Sequence, residues 1–190
     1  AVLAAMIAGA AGALIFAFLT VTLRANQVVS GLSLTIFGTG VAGFAGKSMA
    51  GKLLPPELKA YFVKTSIPVL GDIPFVGTVL FQQDILVYMG YLTAIAAGFY
   101  LFRTRKGLNL RAVGENPASA DGAGISVSLY KYVHIMAGGA LCGLGGVYLS
   151  LVYVPMWKDN ITAGRGWIAV ALVIFAVWSP YKAILGAYFF

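Results

Sequence analysis

Acidic side chains are scarce in this sequence: Asp and Glu number six in 190 residues, and charged residues of both signs make up only 10%. Sixty per cent of the chain is apolar, and its mean hydropathy is +0.89. So little polar surface cannot cover a folded core, which excludes a water-soluble domain and makes lipid the expected solvent. One cysteine, Cys142, excludes an internal disulfide and any Cys-x-x-Cys zinc or redox motif. One histidine, His134, has no second metal ligand at helical spacing and reads as a surface or packing residue, with proton sensing as the alternative. Neither paired carboxylates nor a Ser/His/Asp set stands out, so no catalysis, metal site or resident cofactor is expected in this chain. The formal charge of +7 is spread over loops and helix ends rather than gathered in a stripe, which argues against nucleic acid as a partner.

What the chain does have is long apolar runs. Residues 1–23 carry no charge, and about 22 residues at 1.5 Å each reach roughly 33 Å, enough to cross a hydrocarbon core of about 30 Å. Further spans are predicted over about 28–45, 85–102 and 132–153, with Arg24, Asn26 and Gln27 marking a tight turn at the surface. A shorter run, 166–178, is stopped by Ser179-Pro180, and another begins at Tyr181. The expected fold is all-α: a polytopic transmembrane helical bundle of about five to six membrane segments, forming one domain over 1–190. Both ends fall inside apolar runs and residues 1–22 lack the charged start and cleavage site of a signal peptide, so that domain is expected to be incomplete.

Two stretches between spans differ in charge. Residues 103–131 hold Arg103, Arg105, Lys106, Arg111 and Lys131 against Glu115 and Asp121, which predicts a cytoplasmic segment. Residues 46–84 hold four lysines with Glu57, Asp72 and Asp84 and prolines at 55, 56, 68 and 74; they predict an extramembrane segment with a short helix near Pro56–Phe62. That segment is extracytoplasmic if 103–131 is cytoplasmic, although its own four lysines count against a decisive orientation. Small residues recur at helix-packing spacing: Ala5, Gly9 and Ala13 in the first span, and Gly138, Cys142 and Gly146 beside Gly139 and Gly143 in the fourth. They let backbones approach closely, and two small faces on the fourth span suggest more than one neighbour.

Two motifs mislead. Residues 38–43 match Gly-x-Gly-x-x-Gly, but inside an apolar run rather than a βαβ unit; Gly46-Lys47-Ser48 ends like a phosphate-binding loop, but Val41 stands where the loop needs glycine. Nucleotide binding by this stretch is not expected. Arg111 to Ile125 is more telling: Asn116 can cap a helix opened by Pro117 and closed by Gly122 or Gly124. A helix of about two turns is marginal alone and needs a partner, so it reads as a docking element, against the blander alternative of a solvated loop.

That segment resembles the cytoplasmic coupling region of ABC importer permeases related to those for ribose and branched-chain amino acids. Four blocks in order extend the likeness to the nucleoside-importer branch, whose binding proteins are basic-membrane-protein lipoproteins: RANQVVSGLSLTIFGTG from Arg24, IPFVGTVLFQQ from Ile73, RTRKGLNLRAVGENPASADGAG from Arg103, and GRGWIAVALVIFAVW from Gly164. The resemblance implies a permease subunit, not an enzyme, moving nucleosides or a related small polar solute across the bacterial inner membrane. Its implied partners are a second related permease, a cytoplasmic ATPase that binds ATP and Mg, an extracytoplasmic substrate-binding lipoprotein and membrane lipid. It implies ATPase coupling through Gly114, Glu115, Asn116, Pro117, Ala118, Ala120, Asp121 and Gly124. Substrate-path residues stay unassigned: Asn26, Gln27, Phe37, Trp157 and Trp167 could hold a base or sugar, but each also suits a turn, anchor or packing role. The rival readings are a secondary transporter, which would need intramembrane carboxylates or broken helices, and a non-transporting anchor, which would need no coupling segment.

Overall fold

The computed structural model describes residues 1–49, 65–66, 82–154, 156–158 and 160–189. The short helix expected near Pro56–Phe62, and most of the block from Ile73, lie outside them. Helix α1 (Val2–Ala17) continues into a π-helical turn, Phe18–Thr22, and α2 spans Gln27–Gly46. Strands β1 (Thr65–Ser66) and β2 (Gln82–Gln83) pair antiparallel, Thr65 opposite Gln83. Then come α3 (Ile85–Arg103), α4 (Arg105–Glu115), α5 (Pro117–Gly122), α6 (Val127–Tyr148) with a π-helical extension at Leu149–Tyr153, α7 (Arg165–Phe175) and α8 (Pro180–Ala187).

Four of these helices are long and apolar enough to cross a membrane: Val2–Thr22, Gln27–Gly46, Ile85–Arg103 and Val127–Tyr153, with mean hydropathies of 2.4, 1.6, 1.8 and 1.8. Helices suit that setting because lipid offers no partner to an unpaired backbone group. Their apolar side chains point outward, with Phe44 86%, Ile36 75% and Leu3 74% exposed, as expected where lipid rather than a protein core covers them. The remaining two of the five to six expected segments are short. Helix α7 has 11 residues, about 16 Å of rise and therefore too little for a full crossing. Val177 and Trp178, at φ 51° and 57°, break the chain between α7 and α8, and Pro180 opens α8.

The fourth span begins at Val127, five residues before the expected Tyr132, and so takes Lys131 into its helix. A lysine near a helix end can lay its stem along the apolar surface and carry its ammonium to the interface. The first turn matches expectation closely. Arg24 adopts φ 53°, and Asn26 caps α2 by accepting the N–H groups of Val28 and Val29 at 2.9 and 3.3 Å.

The chain divides into two compact units, Ala1–Leu53 with Arg105–Thr162, and Leu54–Thr104 with Ala163–Phe190. In the first, α1 and α6 lie antiparallel with their backbones in contact. A Cβ on Gly139 would collide with Ala13 and the Gly9 backbone, one on Gly9 would lie 3.0 Å from the Gly143 nitrogen, and one on Gly143 would lie 3.1 Å from Met6 Cα. Thr22 Oγ1 and Tyr132 Oη share a hydrogen bond at 2.5 Å. This pairing puts the Arg24–Asn26 turn beside the start of α6. The indole of Trp157 lies over Gly46, so the end of α2 meets the chain that follows α6. The second small face of α6 is open among the described residues: a Cβ on Gly138 or Gly146 would meet nothing within 4 Å.

In the second unit α8 packs on α3 and α7. Tyr181 covers Gly98 and stacks on Phe102 with centroids 6.3 Å apart, while the Tyr91 and Tyr188 hydroxyls are hydrogen-bonded.

Candidate functional site

The basic segment folds as two helices rather than a loop. Asn116, at φ −144° and ψ 91°, leaves helical geometry and turns its side chain back to accept the Ser119 N–H at 3.0 Å. Pro117 follows at the first helical position, where its missing N–H has no partner to lose. At the other end Ile125 N–H donates to Ala120 O at 3.0 Å and Gly124 N–H to Asp121 O at 2.9 Å. Gly124 takes φ +80°, so α5 closes with a full Schellman motif. A six-residue helix is thereby satisfied at both ends despite its length.

One residue of α5 turns inward. Ala120 is 3% exposed, as is Val113 of α4, and α5 packs on α4 and the start of α6. Pro117, Ala118, Ser119, Asp121 and Gly122 are exposed, as are Gly114, Glu115, Asn116 and Gly124. The expected coupling residues are thus one contiguous exposed surface, except that Ala120 holds the helix to its own chain. A groove of about 250 Å³ runs beside it, bordered by Ala112, Glu115, Ser119 and Ile125. Helix α4, on which α5 packs, is tied to the long span: Asn109 Nδ2 donates to Tyr130 Oη at 3.1 Å. Tyr130 stacks on His134 at 5.7 Å, and His134 Nδ1 lies 2.7 Å from Tyr130 O, so His134 packs within α6.

This arrangement brings together no nucleophile and base, and among the described residues no group of three metal-ligating side chains. What it offers is a preformed protruding helix end. Asn116→Ala is expected to remove the cap at about 1 kcal/mol, raising amide exchange at Ser119 roughly fivefold. Exchange measured by mass spectrometry in nanodiscs checks this; an unchanged rate would mean that Asn116 does not hold the helix.

The solute-path candidates separate. Asn26 is a cap and Gln27 an exposed first residue of α2. Phe37 is 60% and Trp167 71% exposed on spans or apolar helices. Trp157 alone of the five lines the cavity of about 510 Å³ between α2 and the chain after α6. That wall also holds Thr35, Thr39, Ser150, Asn160 and Thr162, which sequence reasoning missed; hydroxyls four residues apart beside Gly38 and Gly43 were its only signal. The Gly-x-Gly-x-x-Gly run is continuous helix within α2, with no loop to cradle a phosphate.

Comparison with known proteins bears on this geometry. The family model for the branched-chain amino acid transport system / permease component matches residues 1–190. A guanosine ABC transporter permease protein of Bacillus subtilis is 40% identical over 99% of the chain. A Haloferax volcanii protein provisionally named a glucose ABC transporter permease is 38% identical over 96%, and a nucleoside ABC transporter permease protein of Lactococcus lactis 34% over 96%. The chain spans little more than half of these relatives, 59%, 55% and 57% of their lengths. No solved structure matches it.

Proposed function

The chain belongs to the branched-chain amino acid transport system / permease component family, and from that premise we propose that it forms part of the permease subunit of an ATP-driven importer of nucleosides or a related neutral, hydroxyl-bearing solute. It is a multi-pass membrane protein, of the inner membrane in bacteria. The observation that carries the mechanism is α5: a doubly capped helix whose outer surface is exposed and which packs on α4, itself hydrogen-bonded through Asn109 to Tyr130 at the start of a membrane span. A cytoplasmic ATPase receives this helix in a cleft, with Gly114, Glu115 and Asn116 shaping the entry and Ala118 and Asp121 in contact. ATP and Mg bind in that partner. Closure of the ATPase moves α5 and α6 as one body, the kind of rigid switch that interfaces support, and ATP drives it because the closed state binds ATP better.

A second related permease completes the pathway, and an extracytoplasmic lipoprotein delivers solute to the side where α2 and α6 end. The names of the three relatives, for guanosine, glucose and nucleosides, favour an uncharged solute. ATP-driven accumulation of tritiated guanosine in vesicles carrying the complete complex is the expected result. Accumulation that follows an ion gradient and ignores ATP would replace this reading with secondary transport.

A further inference from the structure

At the opposite end of α6 from α5, the cavity of about 510 Å³ falls within the range of roughly 300–1,000 Å³ common to small-molecule sites. Its α2 wall contains Gly38 and Gly43, at which an added Cβ would meet nothing within 4 Å. Neither has a positive φ, and each interior helical glycine costs about 1 kcal/mol relative to alanine. Gly9, Gly139 and Gly143 are explained by close helix contact; Gly38 and Gly43 make no such contact and line the cavity.

The polar groups around that space are mostly uncharged. Thr35 and Thr39 stand one turn apart on α2 and give their hydroxyl hydrogens to Gly31 O and Thr35 O at 2.9 and 2.8 Å. Ser150 does the same to Gly146 O at 3.1 Å. Each oxygen keeps lone pairs, so Thr35 and Thr39 on the α2 wall and Ser150 on the facing one can accept hydrogen bonds. With Ser150 on the facing side are Lys158, a donor, and Asn160, whose amide both donates and accepts, the latter at φ 59°. Trp157 supplies a flat indole, held in place because Gly46 has no side chain: a Cβ there would strike the ring.

Hydroxyl acceptors on α2, mixed donors and acceptors on the facing side and a fixed aromatic plane are complementary to a solute with sugar hydroxyls, ring acceptors and a flat base. We propose that this cavity is a nucleoside-binding site of the permease, with the base against Trp157 and the ribose hydroxyls on Thr35 and Thr39. Base–aromatic stacking is worth about 1–3 kcal/mol. A nucleotide is disfavoured, since Lys158 is the one cation among the described lining residues. The inference rests on the transport reading and assigns the solute site within it.

The test uses the complete complex in right-side-out vesicles, with Cys142→Ala removing the native thiol and Ala42→Cys introducing one on the lining. A membrane-impermeant maleimide labels position 42, and guanosine at roughly ten times its Kd slows labelling about tenfold, because only the empty tenth reacts. In Gly43→Leu, which fills the space, the introduced thiol still reacts but guanosine no longer protects it. Equal labelling with and without guanosine, in vesicles that still accumulate guanosine, overturns the site. Protection by glucose and not guanosine overturns the nucleoside assignment. Absence of ATP-driven guanosine uptake by the unmodified complex overturns the transport reading itself.

Discussion

Arginine at both Ala118 and Asp121 is expected to cut ATP-driven solute uptake by about a hundredfold or more while the subunit still enters the membrane. Both positions are exposed on α5, so neither change disturbs how the helix seats on its own chain. If α5 seats in an ATPase cleft as proposed, two added guanidiniums would be buried there where an alanine and a carboxylate stand now. An unpaired buried charge costs about 3–5 kcal/mol, and each 1.4 kcal/mol is about tenfold in an equilibrium. Uptake and solute-stimulated ATP hydrolysis should fall together. Normal uptake in this variant would remove α5 from the coupling path. Ala120→Leu is the instructive contrast: Ala120 is 3% exposed, so that change overpacks the base of α5, and its penalty of about 1–3 kcal/mol falls on folding rather than docking.

Gly139→Ile carries the second large effect. A Cβ at Gly139 already collides with Ala13 and the Gly9 backbone, so a branched side chain forces α1 and α6 apart along their close backbone contact. Overpacking of this kind costs about 1–3 kcal/mol where atoms can shift, and backbone is less able to shift than a side-chain tip. Gly138→Ile, one residue away, meets open space and should stay within about 0.5 kcal/mol. Unfolding in mixed micelles followed by circular dichroism compares the two. Equal losses would show that residue volume in lipid, and not the α1 contact, sets the penalty.

The spans were legible because lipid imposes length and apolarity together, a requirement that residues 1–23 or 85–102 satisfy without any knowledge of neighbours. The small residues at 5, 9 and 13 announced a close approach, but nothing local to them says that Gly139 and Gly143, rather than Gly138 and Gly146, would meet them; the choice depends on the rotation of α6. The start of that helix was misplaced at Tyr132 because Lys131 reads as a loop residue until its long stem is considered. For α5 the caps were readable from Asn116, Pro117 and Gly124, since capping chemistry is local. Which face turned inward was not, because six residues carry too little periodicity to single out Ala120. The cavity was hidden for a different reason. Its walls come from residues 34–43 and 150–162, which approach only through tertiary packing, and Trp157 alone resembles an interfacial anchor.

The length of the fourth span has a mechanical consequence. Val127–Tyr153 is one stretch of 27 residues, about 40 Å at helical rise, with α5 anchored near one end and the cavity wall beginning at the other. As a stiff lever it multiplies angle into distance: a tilt of roughly 10° swings its far tip by about 7 Å. Ser150 rides on that tip, whereas Thr35 and Thr39 belong to a separate helix. A small tilt at the basic end around Asn109 and Tyr130 would therefore be enough to pull the two walls apart and, if solute binds there as proposed, to release it.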